Sequence, residues 1–306
     1  MTQQPMPPSD PNPPIVAAVD GSAVSYRAAA WAAADAVLYR CPLHLVISIA
    51  LPMGWGPGPM LTDTDVDRMQ TDGEQMLAEA KRIARVATGG ELPEISGEVT
   101  AEPIIAYLLD RSRRARMLVV GSRGVGALQR GVLGSVSTAV VRHAHCPVVV
   151  VHSALAADPI SAAQPVLVGV DGSGNSVPAL ELGFEEASRR KVGLTALHAW
   201  SDTGELPLSV ARWEGLRGSQ DVLLAESLAG RSERYPDVAV RRILVNDRPV
   251  RALLAESEHS QLVVVGSHGR GGFAGMLLGS TSNALLQAVE CPIVVVRERS
   301  AENIAE

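Results

Sequence analysis

A run of glycines with a serine behind it, Gly121-x-x-Gly124, nine residues, then Gly134-Ser135, has the chemistry of an anion cradle, and the chain carries it twice. The second copy is Gly266-x-x-Gly269, nine residues, then Gly279-Ser280. Glycines permit positive φ and let a phosphate approach the backbone closely. Gly134-Ser135 and Gly279-Ser280 are suited to opening helices, whose free N–H groups and positive dipole ends attract anions. Ser135 and Ser280 each add a hydroxyl donor for a phosphate oxygen. A lone G-x-x-G is an ordinary turn. Two copies at identical spacing ask for a function.

A second pair of candidates lies upstream. Asp20 follows the apolar run from Ile15 and precedes Gly21-Ser22, while Asp171 follows the run from Val166 and precedes Gly172-Ser173. One reading is an Asx turn that caps the next helix. The other is a carboxylate that accepts from an amino or hydroxyl donor of a nucleoside.

These residues need a scaffold, and the chain writes that scaffold twice. IVAAVDGS at Ile15 to Ser22 recurs as VLVGVDGS at Val166 to Ser173, and Gly121 to Val151 recurs as Gly266 to Val296 with fourteen of thirty-one positions identical and no gap. Within each half, short β-branched runs alternate with longer helical patterns, which predicts βα units around a parallel sheet. In the first half the strands are predicted near 15–20, 43–50, 95–100, 116–121 and 147–152. Helices are predicted at Ser25 to Arg40, Asp63 to Ala87, Glu102 to Arg114 and Ser135 to Ala144, with Ser22 or Ser25 as the first cap. In the second half the strands fall near 166–171, 193–200, 238–245, 261–266 and 292–297.

Five strands joined by right-handed crossovers suit an α/β, doubly wound, flavodoxin-like sheet of order 3-2-1-4-5, present as two tandem domains. Residues 1–13 read as a proline-rich disordered tail, 14–152 as the first domain, 153–164 as a linker and 165–298 as the second domain. In such a sheet a ligand binds beyond the carboxyl ends of the strands where their order reverses, between strands one and four. Asp20 and Gly121, or Asp171 and Gly266, end those strands. Motif and topology point to the same place.

Composition narrows the partners. The 306 residues carry 27 basic and 33 acidic side chains, a net charge of −6, with 3% aromatics. That is a poor footprint for nucleic acid. No apolar stretch approaches the roughly 20 residues that span a bilayer. Three cysteines, Cys41, Cys146 and Cys291, are too few and odd in number for a secreted disulfide framework and fit a reducing cytoplasm.

The paired V-D-G-S and the G-x-x-G-(nine)-G-S pattern together resemble the universal stress protein family in its tandem, ATP-binding form. That resemblance implies adenine and ribose held near strands one and two, phosphates on the glycine loop, often with Mg²⁺, and homodimers formed through the last strand. Carried over residue by residue, it implies nucleoside contacts at Val19, Asp20, Ser48 and Val120, and at Val170, Asp171, Ala199 and Val265. The triphosphate contacts are Gly121, Gly124, Gly134, Ser135 and Val136, with Gly266, Gly269, Gly279, Ser280 and Thr281. The implied function is a nucleotide-dependent stress-response regulator with two ATP sites per chain. The alternatives are a slow ATPase or phosphotransferase, and a scaffold in which the glycines are only structural.

Neither a phosphate loop with its lysine nor a kinase H-R-D or D-F-G set is present, so fast phosphoryl transfer has no evident machinery. Arg123, Arg130, His268 and Arg270 flank the glycine loops and compete as phosphate partners against a solvated-loop reading. His143, His145 and Cys146 are explained by a helix C-terminus better than by a metal. The final strands, Pro147 to His152 and Pro292 to Arg297, are apolar edges that invite pairing, either between two chains or between the two halves of one.

Overall fold

The computed structural model describes residues 12–50, 62–91, 94–124, 133–152, 162–200, 210–270 and 277–297, with side chains of Val210–Leu228 described from residue 217 onward. Most of the predicted tail, most of the linker, Arg130 and the loop from Met53 to Met60 lie outside these residues.

The first half runs β1 (Ile15–Ala18), α1 (Ala23–Tyr39), β2 (Leu43–Ser48), α2 (Asp63–Ala87), β3 (Ile95–Thr100), α3 (Ile104–Arg111), β4 (Met117–Gly121), α4 (Ser135–His143) and β5 (Val148–Val151). The second runs β6 (Val166–Gly169), α5 (Ser176–Arg190), β7 (Leu194–Trp200), α6 (Val210–Leu228), α7 (Arg231–Arg234), β8 (Val240–Asn246), α8 (Pro249–Ser257), β9 (Leu262–Gly266), α9 (Ser280–Ala288) and β10 (Ile293–Val296). Strands one end before their aspartates, because the chain leaves the ladder at Val19 and Val170 to turn into α1 and α5. Of the two candidate caps, Ser22 is the one used: its side chain accepts from the Ser25 N–H.

One ten-stranded sheet results, in the order β3-β2-β1-β4-β5-β10-β9-β6-β7-β8. Each half has the predicted 3-2-1-4-5 order. Valine-rich strands such as β5 and β10 are buried along their whole length, as a sheet covered on both faces requires. Alanines 28, 29, 32, 33 and 36 of α1 are all fully buried, and their small side chains let the helix lie close on the strands.

β5 and β10 pair antiparallel, Val149 against Val294, while the other neighbours are parallel. Both last-strand edges are therefore consumed inside the chain. Dimerisation through the last strand, one of the two arrangements predicted for these edges, is closed off by this pairing. A homodimer would need another surface. Below β5 and β10, α1 and α5 meet across the seam, where Tyr39 Oη donates to Glu186 Oε1 (2.7 Å) and Arg190 pairs with Asp35 and, at 2.9 Å, with Glu186.

The three cysteines are buried free thiols, and burial pushes Cys291 up to about 12. They serve as small apolar side chains. Among the described residues no helix is long and apolar enough to cross a membrane.

Candidate functional site

β1 pairs with β2 on one side and β4 on the other, and β6 likewise with β7 and β9, so strand order reverses beside β1 and β6. At the carboxyl ends of the second-half strands lies a cleft of about 410 Å³. All nine residues predicted for the second site, Val170, Asp171, Ala199, Val265, Gly266, Gly269, Gly279, Ser280 and Thr281, line it. Leu197, Leu253 and Pro249 add apolar wall and His268 and Arg270 polar wall. An apolar pocket with a few convergent polar groups is the usual form of a small-molecule site.

Asp171 organises the cleft. Its Oδ1 accepts from the Ser173 N–H (2.9 Å) and hydroxyl (2.6 Å), which is the Asx turn. Its Oδ2 accepts from the Arg270 N–H (2.8 Å), which draws the glycine loop onto the end of β6. The Asx-turn reading of this aspartate is borne out at Oδ1, while Oδ2 is engaged by the loop backbone.

Opposite, α9 starts at Ser280 behind Gly279, and the Gly279 N-cap makes no side-chain capping bond. Ser280 is exposed and Thr281 half-buried. The first-turn N–H groups thus have no side-chain cap and offer donors and a positive dipole end to an anion.

The first half repeats the frame. Val19 and Val120 are buried at the ends of β1 and β4, Asp20 Oδ1 accepts from the Ser22 N–H (3.0 Å), and α4 starts at Ser135 behind an uncapped Gly134. Val136 packs partly against the core. The strand pairing places Ser48 level with Ala199, as predicted, and Ile47 level with His198. The Ser48 hydroxyl, however, donates to the Glu102 carbonyl (2.7 Å) and accepts from the Ala50 N–H (3.2 Å), so it serves the turn beyond β2.

The glycines differ from the expectation in one respect. Positive φ occurs at Gly21 (82°) and Gly172 (73°), behind the aspartates, and not at the glycines of the loop pattern. Gly124, Gly266 and Gly269 are instead required by proximity. A Cβ on Gly124 would collide with Asp20 Oδ2, and one on Gly269 would lie 2.6 Å from Asp171 Oδ2; one on Gly266 would lie 2.8 Å from the Asn175 carbonyl.

Serines missed in the sequence reading complete both cradles. Gly134 and Gly279 donate to the carbonyls of Ser122 (2.9 Å) and Ser267 (2.7 Å), closing each loop, and the hydroxyls of Ser137 and Ser282 donate to the carbonyls of Gly121 and Gly266 (both 2.6 Å). Their signal was present, since both pairs are identical at the repeat offset. Arg123 is half-buried on the first loop, and the Ser267 hydroxyl lies 3.0 Å from His268 Nδ1 on the second.

The profile of the universal stress protein family matches residues 12–152 and again 163–297. Universal stress protein Rv2005c of Mycobacterium tuberculosis is 44% identical over 285 residues, 93% of this chain and 97% of its own. Rv2623 of the same organism is 41% identical over 287 residues, covering 93% and 96%. The crystal structure of a universal stress protein from Archaeoglobus fulgidus has the same fold, with a TM-score of 0.65 at 22% identity, over 94% of this chain and 98% of that one. The duplicated domain, its sheet order and the two glycine cradles are accounted for together: this chain belongs to the universal stress protein family and carries that family's domain twice in tandem.

Proposed function

We propose that the chain binds ATP at two sites, one per half, and acts as a nucleotide-dependent regulator in the stress response. The observation that carries this reading is the convergence of all nine second-half residues on one cleft that joins an apolar wall to an uncapped helix N-terminus. Val170, Val265, Leu197 and Leu253 suit a base, and the α9 end suits phosphates. Asp20 repeats the Asx turn and Gly134-Ser135 the uncapped helix start in the first half, which supports a second nucleotide. Mg²⁺ would enter with the phosphates, beside the hydroxyls of Ser280 and Thr281 at the start of α9.

The test is to release bound nucleotide from the purified chain with acid and separate it by chromatography. Two adenine nucleotides per chain are expected after incubation with ATP, displaced more weakly by GTP or FMN. A chain that retains none, or that exchanges ATP for FMN on equal terms, overturns the reading.

A further inference from the structure

The two halves differ at a buried polar position in the wall of the cleft. His198 of β7 is 2% exposed; its Nδ1 lies 2.6 Å from the Val170 carbonyl and its Nε2 2.8 Å from Gln220 Oε1 on α6. A carbonyl only accepts, so Nδ1 carries the hydrogen. Nε2 then meets the Gln220 amide, whose oxygen and nitrogen can exchange places to suit the ring.

The bond from Nδ1 acts on a functional peptide. Val170 is also fixed through its own N–H, which donates to the Leu197 carbonyl (2.9 Å). With both ends of the residue held, the Val170–Asp171 peptide plane is set, and Asp171 leaves it to reach Ser173 and the Arg270 N–H. A chain of contacts therefore runs from α6 through Gln220, His198 and Val170 to the aspartate that holds the glycine loop.

The first half lacks this chain. Ile47 stands level with His198 and has no donor. A Cβ on Gly21 would meet Met76 and one on Gly172 would meet Leu223, which sets Met76 against Leu223 and Gly73 against Gln220. Gly73 packs on Val99 and Ile49, so the space filled by a polar bridge in one half is filled by apolar contact in the other.

We propose that His198 is a positioning residue of the second site, presetting Asp171 through the Val170 carbonyl, and that the two sites consequently hold nucleotide with unequal affinity. This rests on the ATP reading above. The second site is the tighter one.

Calorimetric titration of the full chain with MgATP tests it. His198→Ile, which installs the first-half residue, weakens one class of site about tenfold and leaves the other unchanged; His198→Asn, whose amide N–H replaces Nδ1–H, recovers to within about threefold. Equal affinities in both classes for wild type, an unaltered second class in His198→Ile, or an Asn variant as weak as the Ile variant overturns the proposal. Should His198→Ile fail to fold, the ring ¹⁵N and ¹H resonances of His198 in the wild-type chain decide. They shift as the tighter site fills, and resonances unmoved at saturation overturn the proposal. A wild-type chain that binds no MgATP at all instead overturns the parent reading.

Discussion

Asp171 and Gly269 constrain each other, and the pair makes a prediction at the scale of single residues. A Cβ on Gly269 would lie 2.6 Å from Asp171 Oδ2, so Gly269→Ala must push the loop off the carboxylate and lose the Arg270 N–H bond. Losing a hydrogen bond to a charged group at this half-buried position costs about 1–3 kcal/mol, roughly tenfold to hundredfold in nucleotide affinity where the loop carries the phosphates. Asp171→Ala removes both the bond and the collision. The two substitutions together should therefore cost clearly less than the sum of each alone, since one group mediates both effects. Equilibrium dialysis of ATP against the four chains checks this, and additive losses would mean that the aspartate and the loop act independently. The positions themselves were legible because duplication marked Asp20, Asp171 and every loop glycine twice. Their conformations were not. Positive φ sits at Gly21 and Gly172 because the chain reverses out of the sheet there, and Gly124 and Gly269 are instead fixed by contact with an aspartate about a hundred positions away. The Ser48 hydroxyl escaped for the same reason, its partner Glu102 belonging to the next strand connection.

The helices α4 and α9 make the element-scale case. Each starts at a serine behind an uncapped glycine, which forgoes the stabilisation that a capping side chain supplies. A negative charge in the first helical turn is favourable by about 0.3–1 kcal/mol, because the unsatisfied N–H groups carry positive partial charge. Ser280→Asp should accordingly leave the melting temperature of the nucleotide-free chain unchanged or raise it, while abolishing ATP retention at the second site by repelling the phosphates. Scanning calorimetry and nucleotide content on the same samples check both. A variant that retained ATP in full would remove the α9 N-terminus from the site. Gly134-Ser135 and Gly279-Ser280 were correctly read as helix starts, and Asp63 to Ala87 was located to the residue; in the structure a capping box of Thr62 and Asp65 fixes its start. The ends of the strands were read too long wherever the apolar run continued past the ladder, as at Val19 and Val170. Apolar residues report burial, and these two are buried beyond the last strand pair.

At the scale of the whole molecule the two halves are joined by groups that titrate. Asp35 is fully buried with one carboxyl oxygen, Oδ2, lacking a hydrogen-bond partner; burial raises its pKa well above the ordinary range, opposed by Arg190 and reinforced by Glu186. The folded chain therefore keeps the Asp35 proton to higher pH than the unfolded chain, whose aspartate loses it near pH 4. This stabilisation is full below that pH and is lost as pH rises through the folded value. His152, whose Nε2 bonds the Leu286 carbonyl of the other half, is shifted down by burial, so its contribution runs the opposite way and is lost as pH falls below about 6.5. Urea midpoints from pH 4.5 to 8 should show the advantage of wild type over Asp35→Asn shrinking as pH rises; an advantage independent of pH would show that Asp35 stays charged. The seam also has an internal symmetry that the sequence alone did not reveal. Asp35 and Glu186 occupy equivalent places on α1 and α5, and Tyr39 is equivalent to Arg190, so the two cross-seam contacts, Asp35–Arg190 and Tyr39–Glu186, are related by the repeat. Separated halves should then behave differently when their last strands pair with themselves. Two copies of residues 163–297 would bring each Glu186 against the other's Arg190, a balanced set. Two copies of residues 12–152 would bury two Asp35 carboxyls against Tyr39 with no Arg190 to lower their pKa, so near neutral pH association requires either proton uptake or burial of an unpaired charge, and both disfavour it. Sedimentation of the separate halves near neutral pH is expected to show the second as a dimer and the first dimerising only as Asp35→Asn or on mixing with the second. A first half that dimerises as readily as the second would mean that β5 and β10, rather than the helices beneath them, decide which halves join.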